Sequence, residues 1–200
     1  AGEEYTVAVG EDGSVFAFGN GRAGQLGTGD TTNRLTPARV GGVPPSLGPV
    51  RQVAAGDNHT GIVTEAGDLL MCGLGMHGQL GLGDEDVRTT PTLVARAVFD
   101  GEAVLMVACG DEHTAAVTES GGVYTFGSGE DGRLGHGDDE DQFAPRRVPA
   151  AGFNGERVVM VAAGGSHTVA LSEAGHVFTW GWGCGGRGGP GVGAGRGPRR

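Results

Sequence analysis

The sequence predicts an all-β chain whose small four-stranded units stack radially, as the blades of a partial β-propeller. Three observations carry this. Glycine recurs at a fixed interval of 54 residues, each interval holds short apolar stretches parted by turn residues, and those stretches are apolar on both faces. A β-unit covered on both faces needs a neighbour on each side. Radial stacking supplies one, and a sandwich with one wet face does not.

The interval is strict. Gly2, Gly56, Gly110 and Gly164 each lie 54 residues apart, and the same step links Gly13, Gly67, Gly121 and Gly175, then Gly19, Gly73, Gly127 and Gly181. Leu26, Leu80 and Leu134 obey it, as do Asp30, Asp84 and Asp138, and no insertion disturbs the register. Units counted this way begin near residues 1, 55, 109 and 163 and give about 3.5 blades over residues 1–186.

Within a unit, the run VLMVACGDEHTAAVTESGGVYTFGSGEDGRLGHGD from Val104 supplies the elements in order. A first strand ends in VACG, or VAAG in sister copies, and a second opens on His-Thr. Glu119-Ser120-Gly121-Gly122 then makes a hairpin turn in which glycine supplies positive φ. The third strand carries Tyr124 and Phe126, matched by Phe16 and Phe18, Leu70 and Cys72, and Phe178 and Trp180. Spacing by two puts each pair on one face, and Val15, Leu69, Val123 and Val177 make the other face apolar too. A fourth strand is expected after Pro37, Pro91 or Pro145. After Trp182 the fourth copy decays into GRGGPGVGAGRGPRR, and residues 187–200 are expected to be a disordered Gly/Arg-rich tail.

Composition narrows function. Net charge is −10 with a pI near 4.9, which disfavours nucleic acid and anionic membranes as partners of the body and favours a basic one. All 14 cationic residues are Arg, so lysine Schiff-base and P-loop chemistry is excluded. No apolar run is long enough to span a bilayer, and no leader pattern opens the sequence. Cys72, Cys109 and Cys184 are odd in number and far apart, which gives neither a zinc spacing nor a disulfide framework and suggests a reducing, intracellular setting.

Several motifs invite chemistry, and the repeat accounts for each. Gly19-Asn20-Gly21-Arg22-Ala23-Gly24 spells a dinucleotide-type G-x-G-x-x-G. A phosphate site needs a helix to open there, whereas the pattern recurs in each copy and runs into an LGTGD, LGLGD or LGHGD turn. His59, His113 and His167 share one repeat position, with Tyr5 in the remaining copy. On separate blades they do not converge on one metal ion; a Tyr substitutes readily if the role is a buried hydrogen bond from strand to neighbouring loop. Cys72 and Cys109 occupy apolar repeat positions and read as small buried hydrophobes. No nucleophile with a partnered base departs from the pattern, so no catalytic, cofactor or metal residue is assigned. The acids at Asp84, Glu85 and Asp86, beside Arg88, and at Asp138, Asp139, Glu140 and Asp141 lie in turn-rich loops. They form the candidate rim for a protein partner.

VACGDEHTAAV (Val107 to Val117) and VAAGGSHTVAL (Val161 to Leu171), followed by GxVYTFG-type strands and GRLGHGD-type loops, resemble the regulator of chromosome condensation repeat. The resemblance covers residues 1–186 and implies a seven-bladed propeller for a complete member, which at this period needs roughly 380 residues. The chain is therefore expected to be a fragment whose open blade ends take further blades or self-associate. The family implies three activities. Protein–protein interaction through variable loops is the expected one. Guanine-nucleotide exchange on a Ran-like small GTPase is the alternative, although the unbroken register leaves no insertion within these units for the wedge-like hairpin such a factor uses. Ultraviolet sensing uses a GWRHT-type motif, and this chain carries Asp57, Asp111 and Gly165 at that Trp position. The Arg-bearing tail is a further, weaker candidate for nucleic acid.

Overall fold

The computed structural model describes residues 1–183 and 193–194. The first sheet holds β1 (Tyr5–Val9), β2 (Val15–Gly19) and β3 (Arg34–Arg39). The second holds β4 (Val50–Ala55), β5 (His59–Thr64), β6 (Leu69–Gly73) and β7 (Arg88–Leu93), and the third β8 (Val104–Cys109), β9 (His113–Thr118), β10 (Val123–Gly127) and β11 (Gln142–Arg147). The last holds β12 (Val158–Ala163), β13 (His167–Ser172), β14 (Val177–Gly181) and the short β15 (Gly193–Ala194). Every sheet is an antiparallel meander in chain order. Apart from β15, the tail expected to be disordered lies outside the described residues, as does Cys184.

The expected all-β blades are therefore present, with one correction to their anatomy. Pro37, Pro91 and Pro145 sit inside β3, β7 and β11 rather than before them. Each is the fourth strand of its sheet in the second and third blades, and an edge strand tolerates a residue that cannot donate to a ladder.

Burial explains the two-sided apolar pattern. Among the described residues three hydrophobic cores form, and each lies in the seam between consecutive blades. In the central one, Val63, Leu69 and Met71 of the second blade meet Val107, Tyr124 and Phe126 of the third. The register shifts recur too. Strand one is irregular between Val50 and Gln52, Val104 and Met106, and Val158 and Met160. Gly73 closes the third strand with φ +110°, and a Cβ there would lie 2.6 Å from the Cα of His59, so only glycine fits. No helix among the described residues is long and apolar enough to cross a membrane.

Candidate functional site: the seams and the acidic end of the blades

In an antiparallel meander the loops after strands one and three leave the same end of the blade. That end gathers most of the residues singled out from the sequence. Its centre is a hollow of about 380 Å³ where the first strands converge, lined by residues 1–3, 55–57, 109–111 and 163–165. These are the glycine-centred triplets of four successive copies.

The glycines serve the histidines. A Cβ on Gly56 would stand 2.8 Å from His59 Cε1, and one on Gly110 would stand 2.5 Å from His113 Cε1. Freed of that obstruction, each imidazole reaches the next blade. His59 Nε2 lies 2.9 Å from Thr114 Oγ1, and His113 Nε2 lies 2.9 Å from Thr168 Oγ1. The two threonines donate to the backbone oxygens of Gln79 and Arg133, each at 2.8 Å. With its proton spent there, each hydroxyl accepts from the ring, which places the imidazole proton on Nε2. The sequence suggested a tie from strand to loop; the structure inserts a threonine relay between them. Tyr5 plays the histidine's part in the first seam, with its hydroxyl 2.8 Å from Thr60 Oγ1 and donating to His59 O at 2.6 Å.

Burial sets the protonation of these groups. The rings of His59 and His113 are fully enclosed, and loss of hydration lowers their pKa values to about 4 and about 3, the second also through the charges of His59 and Arg133. Among the described residues, neither Nδ1 has a hydrogen-bond partner. The same desolvation pushes the thiols of Cys72 and Cys109 up to about 12, so both are inert, free and buried.

The rim residues divide into two sets. Asp84 holds Arg88 at 2.6 Å, and Arg88 also reaches Asp86 at 3.5 Å. Asp138 pairs with Arg146 at 3.1 Å. Asp141 accepts from Gly129 N at 2.9 Å and meets His77 Nδ1 of the preceding blade at 3.1 Å, so it fastens a seam. Glu85, Asp139 and Glu140 are exposed, and among the described residues no cation pairs with them. Around the hollow, the Glu3 carboxyl is raised above its ordinary value, first by its hydrogen bond to Asp57 and then by that residue's charge. Asp57 and Asp111 continue the acidic series around the axis.

One charged residue escaped the sequence reading. Arg133 is almost buried between Glu112 at 3.3 Å and Glu130 at 3.5 Å. Its signal was positional, since it replaces Gln25 and Gln79 at the same 54-residue step. The G-x-G-x-x-G glycines lead from the third strand into turns, and the segment from Gly127 opens only the short 3₁₀ turn at 130–132. Among the described residues, no group of three or more His, Cys, Asp or Glu is placed to hold a metal ion.

Radially stacked four-stranded blades, seamed by a repeated His–Thr relay around a glycine-lined axis, define a repeat-built β-propeller. Models of the regulator of chromosome condensation (RCC1) repeat match residues 12–63, 66–117 and 120–171, and a second model of that repeat matches 50–79 and 158–187. The chain belongs to that family. It is 40% identical over 180 residues to the Ultraviolet-B receptor UVR8 of Arabidopsis thaliana, covering 90% of this chain and 40% of the receptor. It is 37% identical over 182 residues to human Probable E3 ubiquitin-protein ligase HERC3, covering 90% of this chain and 17% of that protein. Among solved structures, human WBSCR16 superposes with a TM-score of 0.78 at 30% identity, over 91% of this chain and 46% of that one. Prp20p from Saccharomyces cerevisiae, whose structure is described with its binding properties to Gsp1p and histones, gives 0.74 at 26%, over 90% and 44%. The chain thus spans less than half the length of these relatives.

Proposed function

We propose that this chain is a non-catalytic interaction module that receives a basic protein partner on the acidic end of its blades. The observation that carries the reading is the pairing pattern. The structural acids already hold an arginine or a backbone amide, whereas Glu85, Asp139 and Glu140 stand exposed without a cation among the described residues. Glu3, Asp57 and Asp111 extend the same negative field inward. Such a field steers a cationic partner and sets its orientation. The Prp20p comparison agrees, since histones are basic proteins. Free, buried Cys72 and Cys109 accord with a reducing intracellular compartment.

The test is affinity purification with the wild-type chain and with the triple variant Glu85→Gln, Asp139→Asn, Glu140→Gln. Basic proteins retained by the first and lost from the second support the reading. Equal retention by both overturns it. Nucleotide exchange on a Ran-like GTPase is the second reading, favoured by the likeness to a protein studied for Gsp1p binding. A nucleotide-release assay separates the two: clear acceleration over buffer replaces the first reading with the second.

A further inference from the structure

Each blade passes to the next through a connection at the end opposite the acidic one. Two of the three described connections fill their seam with an aromatic ring. Phe99 is buried in one core with Leu69, Val94 and Val104, and Phe153 in the next with the corresponding Val123, Val148 and Val158. Each ring also meets an aromatic of the following blade edge to face, Phe99 with Tyr124 at 5.3 Å and Phe153 with Phe178 at 5.5 Å. Three residues further on, an acid fastens the next blade: Glu102 accepts from Ser120 N at 3.2 Å, and Glu156 from Ser172 Oγ at 2.5 Å.

The first connection keeps the walls of this site and lacks its contents. One 54-residue step before Phe99 stands Pro45, before Glu102 stands Gly48, and before Tyr124 stands Leu70. Val15, Val40 and Val50, the counterparts of Leu69, Val94 and Val104, here line a cleft of about 370 Å³ together with Pro45 and Gly48. That volume lies in the range of ligand sites, roughly 300–1,000 Å³. Val43 and Leu47 lean on the same core but are only half-buried. The cleft sits inside a covered seam, between residues 12–15 and 39–50, so both of its walls belong to the chain. Exposed Arg39 also lines it, while Asp12 is engaged by its own turn, accepting from Ser14 N and Ser14 Oγ at 2.9 Å each.

We propose that this cleft takes a peptide segment of a partner protein that carries an aromatic side chain followed three residues later by Asp or Glu. These are the two groups that the sister connections supply from the chain itself. The ring enters the site that Phe99 and Phe153 occupy at the other seams, and the Arg39 guanidinium receives the trailing carboxylate. Pro44, Pro45 and Pro49 are exposed along the cleft, which therefore admits a side chain projecting from a longer segment. Prolines present no N–H, so an apolar ring covers them without stranding a donor. The cleft and the acidic end face opposite ways, and binding at one is measured without the other.

The probe is a fluorescent peptide with the sequence of residues 96–104, Arg-Ala-Val-Phe-Asp-Gly-Glu-Ala-Val, titrated with the whole chain and followed by anisotropy. Wild type should bind it saturably. Replacing the peptide's phenylalanine with alanine should abolish binding, and replacing its glutamate with glutamine should weaken it several-fold. In the chain, giving residues 44–49 the sister sequence of residues 98–103 (Pro44→Val, Pro45→Phe, Ser46→Asp, Leu47→Gly, Gly48→Glu, Pro49→Ala) refills the cleft from within. This exchange should abolish binding and raise the melting temperature. Arg39→Gln, at an exposed position, should weaken binding several-fold without moving the melting temperature. No binding by wild type, equal binding of the alanine peptide, or equal binding by the exchanged chain would each overturn the proposal. Affinity unmoved by both the glutamine peptide and Arg39→Gln overturns it as well. Should the exchanged chain misfold, the peptide variants and Arg39→Gln decide alone.

Discussion

Acid should loosen the seams through two particular rings. His59 and His113 are neutral in the folded chain, with pKa values of about 4 and about 3, and regain an ordinary value near 6.5 on unfolding. Between those limits the unfolded chain binds more protons than the folded one, so stability is full above about pH 6.5 and falls as pH falls towards 4. Over the step from pH 7.5 to 5.0 each histidine removes about 2 kcal/mol, and the two together about 4 kcal/mol. Carboxylates held low by their partners, such as Asp30 and Glu156, lose their contribution mainly below this window. The chain itself suggests the control. Tyr5 fills the histidine position without titrating near neutrality, because burial raises its phenol further above the ordinary range. The double variant His59→Tyr, His113→Tyr, measured by urea unfolding at both pH values, should lose about 4 kcal/mol less than wild type over the same step, since the contribution of His136, whose burial also lowers its pKa, is common to both chains. If it loses as much as wild type, or if wild type is insensitive, the assignment of neutral seam histidines is wrong.

Three further outcomes follow from the same geometry. Thr114→Val deletes the hydroxyl between His59 Nε2 and Gln79 O and strands both groups in the core, so stability should fall by about 3 kcal/mol in denaturant titrations. Gly56→Ala drives a methyl into the His59 ring and the Gly110 backbone, which should lower stability by about 2 kcal/mol or more and lower the melting temperature visibly by circular dichroism. In a Cys184→Ser background, Cys72 and Cys109 should ignore a thiol reagent at pH 8 until denaturant is added; prompt native labelling would contradict their burial.

The blade pattern was readable because a strict 54-residue step makes four noisy segments vote for one template. The fourth strand was placed late because proline ordinarily marks a strand's boundary, and only the sheet order shows that Pro91 and Pro145 lie on an outer edge. The histidines' part in binding blade to blade was half visible. Substitution by Tyr5 pointed to a hydrogen bond, yet its partner is a threonine 55 residues away, a separation that no local motif encodes. The rim was located but not resolved. Asp141 and Glu140 are neighbours of equal charge in the sequence, and only folding brings His77 to one of them.

Each seam uses parts drawn from corresponding positions, and this makes the blade an interchangeable component. Excising residues 60–113 would join His59 directly to Thr114 and reproduce the native His113–Thr114 junction letter for letter. The ring that faced Thr114 would then face Thr168, because the surviving copies are already cut to the same template. Lineages built from such a template can lengthen or shorten by whole blades while every joint stays chemically intact, whereas the loss of one residue within a strand would put the strand's faces out of phase.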